Sequence, residues 1–173
     1  MPLYTPNAVR SVFVTGLQNA HAVEQQALSL IDRQLDRLVH YPEIADRLRS
    51  HRRETEDQIR RLDEILHDLR ETHSSIKDLA LSMIGNLAAM GNVMAGDEVL
   101  KNHIVNLAFE NLEVASYTSL VVIAEAGSFA TATPLLEASL REEQAMAAWV
   151  AETLPDVTRK YIGLRAEGRT AGH

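Results

Sequence analysis

A chain of 173 residues, 46% hydrophobic and 24% charged, is long enough for one substantial core and short enough for a single domain. Its formal charge of -7 argues against broad attraction to nucleic acid or anionic lipid, and the absence of cysteine excludes disulfides, thiolate metal sites and a cysteine nucleophile. Only 5% of residues are aromatic, and runs rich in Ala, Leu, Glu, Gln and Arg predict an all-α fold.

The N-terminal stretch MPLYTPNAVRSVFVTGLQ lacks a basic segment followed by a continuous apolar run, so it does not read as a secretory signal, and the cytoplasm is the expected compartment. Residues 7–39 form the first helical pattern, with Val9, Phe13, Leu17, Ala20, Glu24, Ala27, Ile31 and Leu35 near a/d spacing; one core position is therefore an acid. Tyr41-Pro42-Glu43 breaks the chain and starts a second helix, to about Thr72. Its inward row is Leu48, His51, Thr55, Gln58, Leu62, Ile65 and Leu69, polar in the middle, with Glu54 beside Thr55.

Ser75 and Asp78 resemble a capping box that opens a shorter helix, which Gly91 ends before a restart at Gly96 and Asp97. The most apolar window, IKDLALSMIGNLAAMGNVM, carries Lys77, Asp78, Asn86 and Asn92 and is too polar for a membrane span. A third long helix runs from Asp97 to Ala126, where Gly127 can cap it. Thr133-Pro134 starts a fourth, to about Thr153, and Pro155 starts a short tail helix. Residues 1–168 are read as one domain and 169–173 as a flexible tail.

Short links make hairpins of helices one and two and of helices three and four. A helix of about 30 residues is about 45 Å long, and residues 74–96 can return over that distance as one short helix plus extended chain. A four-helix bundle with one long helical crossover is a ferritin-like arrangement. If that crossover helix lies outside a filled bundle, Ile76, Leu79, Leu81, Met83, Ile84, Leu87, Met90, Val93 and Met94 cannot all pack down, and a homodimer that buries the remainder is expected.

Each long helix then carries an acid near its middle: Glu24, Glu54, Glu110 with Glu113, and Glu143. An unpaired buried carboxylate costs several kcal/mol, so such a group must be protonated, paired with arginine, or gathered around a cation. Arg47, Arg49, Arg52, Arg53, Arg60 and Arg61 lie largely outside the inward row and read as a solvated face, which leaves a hard divalent or ferric ion as the natural partner. Any single acid is more ordinarily a boundary residue with its head in water; five at one level favour the ion. Tyr117, one turn beyond Glu113, is expected to be buried with its hydroxyl on a carboxylate. Phosphate-binding loops, nucleophile elbows and Cys/His zinc patterns are absent.

The stretches AVEQQ, SHRRETEDQIRRLDEI, FENLEVASYTSL and LLEASLREEQA resemble a known family, the small ferritin-like proteins related to the bacterial YciE and YciF stress proteins. The resemblance spans residues 13–151, and Glu-x-x-Glu-x-Ala-x-Tyr in helix three is its most specific part. It implies a dimeric four-helix bundle with a di-iron centre and a role in stress physiology, through iron or peroxide handling; manganese, or no metal, stays open. The metal ligands expected are Glu24, Glu54, Gln58, Glu110, Glu113 and Glu143, with His51 available to complete the shell, Glu24 and Glu113 terminal, and Glu54 with Glu110 or Glu143 bridging. Three positions carry the poorer option of the family pattern: Gln58 where members commonly have His or Gln, Asn111 where they often have His, and Ala147 where they often have Asp. None of these acids is followed at i+3 by histidine, as a full carboxylate-bundle site would have. The alternative is therefore a non-catalytic helical-bundle interaction protein with a degenerate metal site.

Overall fold

The computed structural model describes residues 5–72 and 98–169, and all regular structure among them is helical. Four helices follow in order: α1 (Pro6–Leu35), α2 (Pro42–Asp68), α3 (Glu98–Ala126) and α4 (Ala132–Ala166). The segment expected to form the crossover helix, with its caps and the apolar residues on which the dimer expectation rests, lies outside the described residues.

Prolines set two of the starts. Pro6 and Pro42 open α1 and α2, where a missing N–H costs nothing, and Thr5 caps α1 by accepting the Ala8 amide at 3.4 Å. Three of the helix ends close alike. At α3 the Ser128 N–H bonds Glu125 O and the Phe129 N–H bonds Ala124 O; the same paired bonds follow α2 through Arg70 and Glu71, and α4 through Gly168 and Arg169. The residue in the left-handed region after α3 is Ser128 (φ 58°), so Gly127 precedes the turn residue rather than supplying it.

α4 continues through Pro155 for 35 residues, where a separate tail helix was expected. Packing bridges the missing hydrogen bond. Val157 and Leu164 beyond the proline are buried in the same apolar cluster as Met146 and Val150 before it, and Lys160 lies 4.7 Å from the Tyr41 ring centroid.

α1 packs on α2 and α3, and α4 packs on α3 and α2, so α1 lies diagonal to α4 and α2 to α3. Two apolar clusters give the directions. Phe13 and Leu17, Leu62 to Leu66, Leu120 with Ala124, and Ala132 with Leu136 meet at one end. Ile31, Ile44 to Leu48, Val99, and Val150 to Leu164 meet at the other. α2 and α3 therefore run parallel, so Thr72 and Glu98 lie at opposite ends of the bundle. This is the ferritin-like arrangement, built around a layer in which α1 contributes Glu24, α2 His51 and Gln58, α3 Glu110 and Glu113, and α4 Glu143.

Over Val99–Ala126, α3 is long and apolar enough by length and composition to cross a membrane, with mean hydropathy 1.3 over 18 residues and 33% of that window buried. Two flanking helices explain its apolarity, and Glu110, Glu113 and Tyr117 on it are buried in the bundle.

Phe129 stacks on Phe13 with ring centroids 4.5 Å apart, and its ring covers Gly127 where a Cβ would stand. Gly127→Ala is expected to displace that stack and cost about 1–3 kcal/mol. Ser128→Gly, which removes left-handed strain, should gain about 1 kcal/mol. Urea denaturation of the two variants against wild type checks both signs.

Candidate metal centre

Helical geometry decides which polar groups face inward. Successive residues turn by about 100°, so His51, Thr55 and Gln58 stay within a narrow sector of α2, while Glu54 falls about 60° off it. His51, Thr55 and Gln58 are accordingly buried, whereas the Glu54 side chain keeps 29% of its surface exposed. On α3, Glu110, Glu113 and Tyr117 are all buried, as are Glu24 on α1 and Glu143 on α4.

His51, Glu110 and Glu143 come together from three helices. His51 Nε2 lies 3.2 Å from Glu110 Oε2 and 3.8 Å from Glu143 Oε2. One ligand atom from each of the three lies within 4.8 Å of the others, a group that could hold a metal ion. The approach to Glu110 is close but badly aligned, since Glu110 Oε2 still lacks a hydrogen-bond donor.

The other inward groups surround this triad. Tyr117 donates its hydroxyl to Glu24 Oε1 at 2.6 Å, and Gln58 Nε2 donates to Glu143 Oε1 at 2.5 Å. Five buried carboxylate oxygens have no hydrogen-bond partner: Glu24 Oε2, Glu110 Oε2, Glu143 Oε2 and both oxygens of Glu113; Gln58 Oε1 is likewise unpartnered. Native interiors hold few such atoms, and here they share one layer. Oxygen-rich donors with one imidazole suit iron or manganese, so the residues fit a metal.

Electrostatics describe the same tension. Burial, with repulsion from Glu110 and Glu142, pushes the Glu24 carboxyl up to about 8 against the pull of the Tyr117 hydrogen bond and the charge of His51. Burial first, then repulsion from Glu143, Glu24 and Glu110, raises Glu113 well above the carboxylate range; burial and Glu110 do the same to Glu143. Burial disfavours the His51 cation most strongly of any single effect, but Glu110, Glu54 and Glu143 together outweigh it and raise the imidazole. Glu54 is held low, chiefly by its hydrogen bond from His51.

The expected ligands thus divide. Glu24, Gln58, Glu110, Glu113 and Glu143 share the buried layer with His51. Glu54 instead bonds Arg47 through both carboxylate oxygens, at 3.1 and 3.0 Å, and takes His51 Nδ1 at 2.9 Å. The arginine face is less solvated than its sequence predicts. Arg47 reaches Glu54, and Arg61 holds Glu142 with two bonds of 2.6 and 2.8 Å. The i, i+7 spacing of Arg47 and Glu54 was a readable signal for the first contact; the second joins residues 81 apart and had none. The chain's Glu-x-x-His, Glu64 and His67, is exposed and takes no part. Asn111 is also exposed, its amide donating to Leu107 O at 2.7 Å, so it brings no nitrogen to the layer.

A proton balance follows for the metal-free protein. The Glu24 carboxyl, raised from 4.5 to about 8, contributes stability that is fully present below pH 4.5 and is lost as pH rises through about 8, and Glu113, raised in the same direction, acts with the same sign. Glu113→Gln, isosteric with the protonated acid, should escape this loss. In chelator it is expected to melt above wild type at pH 8, by about 1–3 kcal/mol, with the gap narrowing at pH 5. A wild type that gains on the variant as pH rises contradicts the assignment.

Comparison with known proteins agrees with this architecture. YciF of Escherichia coli K12 is 27% identical over 145 residues, covering 79% of this chain and 84% of that protein. A crystal structure from Xanthomonas campestris pv. campestris superposes with a TM-score of 0.78 at 27% identity, covering 91% of this chain and 99% of the other. The crystal structure of the E. coli stress protein YciF gives 0.75 at 21% identity, covering 88% and 98%. The sequence model of the family described as "Domain of unknown function (DUF892)" matches residues 8–163, nearly the whole folded chain, and this protein belongs to that family.

Proposed function

We propose that this protein is a ferritin-like carboxylate-bundle protein that binds iron, as a single ion or a pair, and handles iron or peroxide in stress physiology. The observation that carries the reading is the convergence of five unpartnered buried carboxylate oxygens on the His51 triad, a layer whose charge only a cation or protons can balance. Glu24, Glu110, Glu113, Glu143 and His51 are the residues that would hold the metal, with Gln58 as a neutral oxygen donor. Bound iron would supply one-electron chemistry toward oxygen or peroxide.

The chain's own residues fix the terms of that chemistry. The apolar clusters on either side exclude bulk water, Tyr117 holds Glu24 in place, and the raised carboxyls give up their protons as a cation arrives. Nitrogen is scarce: His51 is the sole imidazole of the triad. Such an oxygen-rich layer with one imidazole favours binding over rapid turnover, and the stress protein YciF is a relative whose fold it shares.

Ferrous or manganous ion in excess is expected to raise the melting temperature by mass action, and Glu113→Ala should remove that increment. At 100 times the dissociation constant the gain is about 2.7 kcal/mol. Melting curves unchanged by either ion contradict the reading. Ferroxidase turnover, followed by absorbance after ferrous iron and oxygen, should be weak or absent; turnover rivalling a dedicated ferritin would show that more nitrogen reaches the site than this layer provides.

A further inference from the structure

Two hydrogen-bonded chains run from the partly exposed side of α2 into the acid layer. In the first, Arg47 holds both oxygens of Glu54, and Glu54 Oε2 meets His51 Nδ1 at 2.9 Å, with His51 Nε2 on the opposite side of the ring facing Glu110 and Glu143. In the second, Arg61 grips Glu142 with two bonds. Gln58 Nε2 then donates one hydrogen to Glu142 Oε2 at 3.1 Å and the other to Glu143 Oε1 at 2.5 Å. Both amide hydrogens are thereby used, and Gln58 Oε1 is left buried without a donor. The reversed amide would set that oxygen against two carboxylates.

Building on the metal-binding reading, we propose that Arg47–Glu54 and Arg61–Glu142 are positioning pairs that orient His51 and Gln58, so that α2 presents two neutral lone pairs, His51 Nε2 and Gln58 Oε1, to a cation held by the acids. A carboxylate on Nδ1–H fixes the imidazole tautomer and ring plane and raises the basicity of the other nitrogen. An arginine on that carboxylate restrains it in turn: one Arg47 nitrogen is shared between both Glu54 oxygens, and two Arg61 nitrogens grip Glu142 in a bidentate fork. Glu54 therefore acts through His51 and does not touch the ion. Plain surface ion pairs would contribute about 0–1 kcal/mol to stability and nothing specific to the ligand beneath them.

Cobalt(II) is the probe, titrated calorimetrically into the full chain and observed by proton NMR in H2O and D2O. Cobalt-loaded wild type should show a hyperfine-shifted, solvent-exchangeable resonance from His51 Nδ1–H, identified by its loss in His51→Asn. Glu54→Ala should weaken cobalt binding about 10- to 100-fold and broaden that resonance through faster exchange. Glu54→Gln, whose amide oxygen still accepts the Nδ1–H, should restore both to within a few-fold. Glu142→Ala should weaken binding while leaving the His51 resonance in place. A folded Glu54→Ala with wild-type affinity and an intact resonance overturns the proposal, and so does a Glu54→Gln as weak as Glu54→Ala, which would make Glu54 a ligand itself. Should Glu54→Ala not fold, Arg47→Met carries the same test from outside, with faster exchange supporting the proposal and an unchanged rate overturning it. Wild type that binds no cobalt removes the metal-binding reading as a whole, an outcome distinct from the failure of either pair.

Discussion

Four buried carboxylates in the middle of a helical bundle, each within reach of another's charge, are the constraint around which this structure is arranged. Elsewhere the core is mainly apolar. Phe13, Leu17, Leu62 and Leu136 fill one end, and Ile31, Leu48, Met146 and Val150 fill the other. These two apolar clusters stabilise the fold, and they also keep water away from the layer between them, so the repulsion among Glu24, Glu110, Glu113 and Glu143 acts in a poorly screened interior. An apolar residue at any of these positions would remove that repulsion. The acids at the centre of all but one helix therefore stand at the expense of stability, as the metal-binding function proposed above requires.

Helix α2 plays a different part from its neighbours. It brings no carboxylate to the centre of the layer; it brings His51 and Gln58, both neutral when they act as donors, and places its own acid Glu54 at the boundary. The result is a layer with an acidic side from α1, α3 and α4 and an oriented, uncharged side from α2. Tyr117 and the arginine-tied carboxylates hold the geometry from the rear. The bundle's parallel α2 and α3 make this asymmetry feasible, because His51 and Glu110, on diagonal helices, meet across the centre at 3.2 Å.

The inward rows of α1 and α2 were legible in the sequence because helical periodicity alone assigns them: Phe13, Leu17, Glu24, His51, Gln58 and Leu62 are buried as spacing requires. The burial of Glu110, Glu113 and Tyr117 followed from the same rule. Periodicity is too coarse for a residue about 60° off the row, and that is where Glu54 and His51 divide their roles. Contacts between helices were beyond it as well. Arg61 and Glu142 are 81 residues apart, and no pattern local to either predicts the pair that orients Gln58. Pro155 misled for a related reason: its local cost marks a helix boundary, but burial of Val157 and Leu164 on the common core carries α4 past it.

On the proposed metal-binding reading, protons balance the acid layer when no metal is present and a cation takes their place. Isothermal titration of iron(II) or manganese(II) under anaerobic conditions, repeated at neutral pH in buffers of different ionisation enthalpy, counts the protons exchanged on binding. A net release of protons that diminishes in Glu113→Gln is expected. Binding with no proton release, or with the same release in the variant, would contradict it.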